Sequence, residues 1–377
     1  MEIQTGIQIR KKQKSPPLLK SSKDPKFLLM YAPQRHDPTY GVVRPEVSLG
    51  NLYLAAVLEQ EGFEVDILDC CIGNERHSME ESFNRVTPLA GNVVRIGLSP
   101  ETMVKEIADY DVIGISSIFT PQTYMVEELV RLASGAYPDK LIIMGGINAR
   151  TQMQKFFDAG AHLICISEAE RTILRIGNLL RQGSRDFSGV PGVAFLNNGK
   201  IQVNPMTEME DNLDNLPIPA RHKLPLQKIA EIARPHGSGF KPGQIERRLL
   251  YVSAQTSRGC PYVCSYCHIS GEQKNSEVGY LGKFRYQSEE RVEREMVAIK
   301  ELGAEYIYIE DDSLLAKKKR ALNIFRMLIK FGFKLGDVNG VNLSHLHKNE
   351  GGRIVIDDEM LETMAEAGFE RLFFPVE

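Results

Sequence analysis

The chain has 377 residues, too many for one average domain, and its 42% hydrophobic and 25% charged content is that of a globular protein with a real core. A net charge of −3 gives no general electrostatic reason to expect nucleic acid or an anionic membrane as partner. No apolar run of about eighteen residues occurs, so no transmembrane helix is expected.

Residues 1–25 are basic and polar (Arg10, Lys11, Lys12, Lys14, Lys20, Lys23), without the apolar centre of a secretory signal, and read as a solvated tail. From 26 to 205 short apolar runs alternate with amphipathic stretches, which predicts an α/β domain with a parallel sheet. Strands are expected at Phe27–Tyr31, Glu64–Leu68, Val112–Ile115, Leu141–Met144 and His162–Cys165, with helices near 48–61, 121–135, 149–158 and 168–182. One or two helices are expected in the less regular stretch 74–108. Five strands with interposed helices match a doubly wound, flavodoxin-like (Rossmann-like) sheet, in which ligands bind at the carboxyl ends of the strands. A hairpin follows, Gly192–Leu196 and Ile201–Val203 around an Asn-Asn-Gly turn. Residues 206–248, with Pro217, Pro219, Pro225, Pro235 and Pro242, read as a linker.

A second βα series occupies 249–377: a strand at Leu249–Ser253, a helix near 288–302, a strand at Tyr306–Ile309 and a helix near 317–331. A strand near 334–343, a helix near 357–367 and a strand at Arg371–Phe374 complete it. These are the first units of a (β/α) barrel, whose closed form takes about 250 residues. The chain is therefore read as a fragment of a longer protein, or as one whose open edge a partner covers.

Of six cysteines, Cys260, Cys264 and Cys267 fall in Cys-x3-Cys-x2-Cys directly after the first of these strands. That is metal-site spacing, and it suits a reducing, cytoplasmic compartment where thiolates stay free for iron. Three thiolates hold a four-iron cluster and leave one iron without a protein ligand. A zinc site with His268 as fourth ligand is the alternative. Ile309-Glu310-Asp311-Asp312 ends the second barrel strand, where barrels carry functional groups. Asp312 and Ser313 could equally cap the following helix. Asn339, Asn342, Ser344 and Glu377 are weaker candidates to line the site, and His345 and His347 read as loop residues. Cys70, Cys71 and Cys165 read as buried core, and Lys317–Arg320 as a solvated face.

The cysteine spacing, with aromatic Tyr266 before the third cysteine, resembles the radical S-adenosylmethionine (SAM) family. The resemblance implies a [4Fe–4S] cluster on Cys260, Cys264 and Cys267, with SAM on the open iron. One electron then cleaves SAM to a 5′-deoxyadenosyl radical. It further implies Tyr266 beside the adenine, Glu310 or Asp312 near the methionyl ammonium, and an electron donor such as flavodoxin or ferredoxin. Together with Asp111–Ser117, Met144–Gly146, Ser167–Thr172 and Asn215–Pro219, the whole of 26–377 resembles the cobalamin-binding radical SAM class. There the strand ends surround the nucleotide tail of vitamin B12, which implies Ser116, Ser117, Gly145, Gly146 and Glu168 as cobalamin contacts. Relatives commonly carry Gly-Glu-Gly-Glu where this chain has Ser167-Glu168-Ala169-Glu170, and the cobalt-ligating Asp-x-His-x-x-Gly motif is absent. The resemblance implies methyl transfer to an unactivated carbon of a small molecule. A non-methylating B12 radical SAM reaction, an inactive binding module and a B12-type domain without its ligand remain the alternatives.

Overall fold

The computed structural model describes residues 24–38, 48–232, 250–272 and 276–374. Most of the expected tail, residues 233–248 of the expected linker and Glu377 lie outside them.

Five parallel strands, Phe27–Tyr31, Val65–Asp69, Val112–Ser116, Leu141–Gly145 and Leu163–Cys165, build the first sheet in the order 2-1-3-4-5. That order is the flavodoxin-like one. Each strand is apolar on both faces because helices cover both. Phe27, Leu29 and Ile143 pack towards the helices Leu49–Gln60 and Glu170–Arg181. Leu28, Met30 and Met144 pack towards Pro100–Ile107, Thr123–Ala136 and Met153–Ala159.

The hairpin Val193–Asn197/Lys200–Val203 joins this sheet antiparallel to Leu163–Cys165, so the sheet has seven strands rather than five. In the stretch 74–108 one helix forms, Pro100–Ile107. The rest is turns and a small antiparallel sheet of Gln34–His36, Val94–Ile96 and Val86–Pro88. The expected helix at 149–158 is broken at Gln152 into Ile147–Thr151 and Met153–Ala159.

The second sheet is parallel and sequential: Tyr251–Ala254, Tyr306–Ile309, Lys334–Asp337 and Phe369–Arg371. The last strand starts two residues before the apolar run that suggested it. Its helices, Glu289–Glu301, Lys318–Ile329 and Asp358–Ala367, cover Val252, Ile307, Ile309 and Leu335 on one face. On the other face Tyr251, Tyr306 and Tyr308 enter the same core as Phe27 and Leu29. The two sheets thus share one apolar interior.

Residues 206–232 help to fill that interior rather than spanning it loosely. Leu213, Leu216, Ala220, Leu224 and Ile229 are buried, and Leu226–Ile232 is helical. Arg221 donates to the Ser253 carbonyl at 2.6 Å and pairs with Glu295 at 2.5 Å, while Arg291 meets Glu295 at 3.0 Å. All three side chains are at most 2% exposed.

Candidate functional site

The carboxyl ends of the first sheet open on a cavity of about 400 Å³, closed on its far side by the second half of the chain. Gly114 and Ser116 end one strand here, Gly145 and Gly146 the next, and the turn Ser167–Glu170 follows the fifth. Opposite them stand Gln255, Arg258 and Gly259 before the first cysteine, His268 after the last, and Glu310 with Asp312 at the end of the second barrel strand. Small residues at the strand ends keep this mouth open. A Cβ added to Gly145 would meet nothing within 4 Å, so that side of the cavity is space a ligand can take. Gly146 is different, because its φ of +96° and a 2.3 Å approach of an added Cβ to the Ser117 carbonyl oxygen require glycine.

Of the cobalamin contacts implied by resemblance, Ser116, Gly145, Gly146 and Glu168 line the cavity. Ser117 does not. It is fully buried, and its hydroxyl accepts from Asn148 Nδ2 at 2.8 Å, which fixes the start of the helix Ile147–Thr151. Glu168 lines the wall, but its carboxylate is engaged by protein. It accepts from Arg285 at 2.5 and 2.9 Å and pairs with Arg258 at 3.2 Å. Burial works against its charge, yet the two guanidiniums prevail and hold its pKa below the ordinary value. Ser167, standing where relatives have glycine, donates to the Val278 carbonyl at 2.6 Å.

Of the SAM contacts, Glu310 and Asp312 line the same cavity. Asp312 does not cap the helix that follows, which begins at Lys318; its Oδ2 accepts from the Gly259 amide at 2.9 Å, beside the first cysteine. Tyr266 is outside the cavity lining and 64% exposed.

The three motif thiols are free, Cys264 exposed and Cys260 and Cys267 half-buried. The Cys267 amide donates to the Cys264 carbonyl at 3.1 Å, and the Cys260 amide to that of Gly282 at 3.3 Å. Gly259 has φ +80°, and a Cβ there would lie 2.4 Å from the Lys283 carbonyl oxygen. Among the described residues no three His, Cys, Asp or Glu side chains converge on one point as ligands of a single ion would. A four-iron cluster asks something else of a loop: separate, reachable thiolates for separate irons. All three thiols are at least partly exposed and so reachable in that sense.

Asp311 was read only as part of the acidic strand end Glu310-Asp311-Asp312, without a role of its own. Fully buried, it accepts from the Thr256 amide at 2.6 Å, the Thr256 hydroxyl at 2.7 Å and the Ser257 hydroxyl at 2.5 Å, and so ties the second barrel strand to the approach of the cysteine loop. Burial pushes its pKa up against those bonds. Asn51 was missed; a polar residue inside the apolar helix Leu49–Gln60 was the available signal. It lines the cavity, and its Nδ2 is buried without a hydrogen-bond partner. Tyr262, within the motif, bonds His345 Nε2 at 2.5 Å and steadies the loop from the other side.

Residues 44–176, which take in the last four of the five parallel strands and the cavity's near wall, match the family model for the B12 binding domain. That part of the chain is similar to a B12 binding domain. Beyond it, the chain is 29% identical over 376 residues to a cytidylyl-2-hydroxyethylphosphonate methyltransferase of Streptomyces wedmorensis, covering 91% of this chain and 62% of that one. Its fold matches the cobalamin-dependent SAM radical enzyme OxsB, with a TM-score of 0.67 at 18% identity, over 94% of this chain and 44% of that one. It also matches the radical SAM methyltransferase TsrM from Kitasatospora setae, at 0.60 and 17%, over 92% of this chain and 57% of that one. The chain thus has the two-part architecture of those enzymes and spans between 44% and 62% of their lengths.

Proposed function

We propose that this chain binds cobalamin, a [4Fe–4S] cluster and SAM, and serves methyl transfer to an unactivated carbon of a small molecule. The observation that carries this reading is the shared cavity. Strand ends of the first sheet form one wall, and the approach to the cysteine loop, with Glu310 and Asp312, forms the other.

When bound, the cluster supplies the electron that cleaves SAM and the cobalamin supplies the transferable methyl group. Cys260, Cys264 and Cys267 would hold the cluster. Ser116 and Gly145 would give the corrinoid room and, together with Gly146, polar backbone at the strand ends. Glu310 and Asp312 set negative charge at the end of a barrel strand, which suits the ammonium of SAM. Asp311 and Asp312 hold the Thr256 and Gly259 amides and the Ser257 hydroxyl, and so order the approach to the cysteine loop. An electron donor of the flavodoxin or ferredoxin kind would reduce the cluster from outside, near exposed Cys264.

The test is reductive incubation of the reconstituted chain with methyl-labelled SAM and candidate acceptors. The expected outcome is retention of hydroxocobalamin through gel filtration and release of 5′-deoxyadenosine together with a labelled product. Deoxyadenosine with no methylated product would reassign the chemistry to a non-methylating class; no cobalamin retained and no SAM cleaved would end the proposal.

A further inference from the structure

The loop after the fifth strand is a wall of the cavity, and two of its carboxylates reach across to the other half of the chain. Glu170 pairs with Arg258 Nη2 at 2.7 Å, and Glu168 with Arg258 Nη1 at 3.2 Å and Arg285 Nη2 at 2.5 Å. Arg258 Nε donates to Gln255 Oε1 at 3.1 Å, and its guanidinium lies 4.9 Å over the Tyr53 ring. Arg285 also donates to the Glu210 carbonyl at 2.8 Å. Two negative and two positive groups are thus matched, with side chains between 2% and 16% exposed. Arg258 and Arg285 are themselves cross-strand partners in the short ribbon Ser257–Arg258/Arg285–Tyr286. Arg258 is separated from Cys260 only by Gly259, whose backbone can adopt no alternative side chain.

We infer that Arg258 is a positioning residue: its fork between Glu168 and Glu170 fixes the cluster-bearing loop against the B12-binding domain. The bridge joins the turn that lines the cobalamin cavity to the residue that enters the cysteine motif. Movement of one therefore displaces the other. A lysine ammonium would do this less well, since the guanidinium holds its separate donors in a fixed planar fork that meets two carboxylates and a third acceptor. Glu168 then acts on the corrinoid site through Arg258 and Arg285 rather than by touching the ligand. A second bridge, Arg150 to Glu272, joins the same two halves at the cavity's edge.

This inference rests on the proposed function, because it concerns how two cofactor sites are held together. Two measurements on the full chain test it. In ligand-free protein, hydrogen exchange is followed at 166–170 and 255–260 for Arg258→Lys and Glu170→Gln. Expected is a rise of at least about fivefold in both segments for either variant, because each segment holds the other. A rise confined to the substituted segment overturns the inference. In protein loaded with hydroxocobalamin and cluster and then reduced, the magnetic interaction between the cob(II)alamin and cluster spins reports their mutual arrangement. Arg258→Lys should broaden or weaken that interaction while iron and cobalamin contents stay near wild type. Unchanged interaction at unchanged content overturns it. If the wild-type protein loads neither cofactor while the two variants still show the reciprocal exchange effect, the interdomain bridge stands and the proposed function falls instead.

Discussion

Gly145 and Gly146 are neighbours with opposite reasons to be glycine. At Gly145 a side chain would meet only empty cavity, whereas at Gly146 it would strike the Ser117 carbonyl from a left-handed backbone. Gly145→Val should therefore leave the unliganded protein's melting temperature close to wild type and weaken hydroxocobalamin binding at least about tenfold, by filling ligand space. Gly146→Ala should instead destabilise the unliganded fold, by roughly 1–2 kcal/mol or more, in a denaturant titration. Both positions were legible in the sequence because small residues followed apolar strand runs. Ser117 was not: it lies one residue past Ser116, and alternation turns it to the opposite side, onto Asn148. The engagement of Glu168 was equally invisible, since its partners Arg258 and Arg285 lie 90 and 117 residues along the chain, and nothing local links them.

At the scale of elements, the strands and most helices were readable because each is an apolar run or an amphipathic period. The segment 206–232 was not, because prolines signal irregular backbone without saying whether it is packed. Its Arg221 completes a buried Arg–Glu–Arg group with Arg291 and Glu295. Removing the shared carboxylate would leave two guanidiniums in the core, so Glu295→Ala should cost about 3–5 kcal/mol in equilibrium unfolding. Asp337, at the end of the third barrel strand, gives a pH test. Burial pushes its pKa up to about 6, with the amides of Phe373 and Gly340 opposing the rise. The folded protein then holds this proton more tightly than the unfolded chain, so this residue's contribution falls as pH rises from near 4 through 6. Asp337→Asn should raise stability at pH 7.5 by on the order of 2 kcal/mol, and the gain should vanish at pH 4. A melting series across that range decides it; a gain independent of pH would assign the effect to packing. The hairpin His347–Glu350/Arg353–Ile356 also went unread: its first strand, His-Lys-Asn-Glu, is polar throughout, although Ile354-Val355-Ile356 in the second was a usable signal.

Across the whole molecule, the first sheet and the barrel sheet share an apolar interior through Tyr251, Tyr306 and Tyr308, and they meet again around the cavity through charge. That double junction is why Arg258, Gly259 and His268, which flank the cysteine loop, stand opposite the strand ends of the first sheet. The two-part fold was legible from periodicity and from the cysteine spacing; the interface was not, because it is built from contacts far apart in sequence. Among the described residues no helix is long and apolar enough to cross a membrane. The proposed function requires one chain to hold both a cluster and a corrinoid. Iron and cobalamin content after anaerobic reconstitution and gel filtration tests it most directly. About four iron and one cobalamin per chain are predicted, with the iron lost and the cobalamin retained when Cys260, Cys264 and Cys267 are replaced by alanine. Zinc in place of iron, or no cobalamin bound to the intact chain, would contradict it.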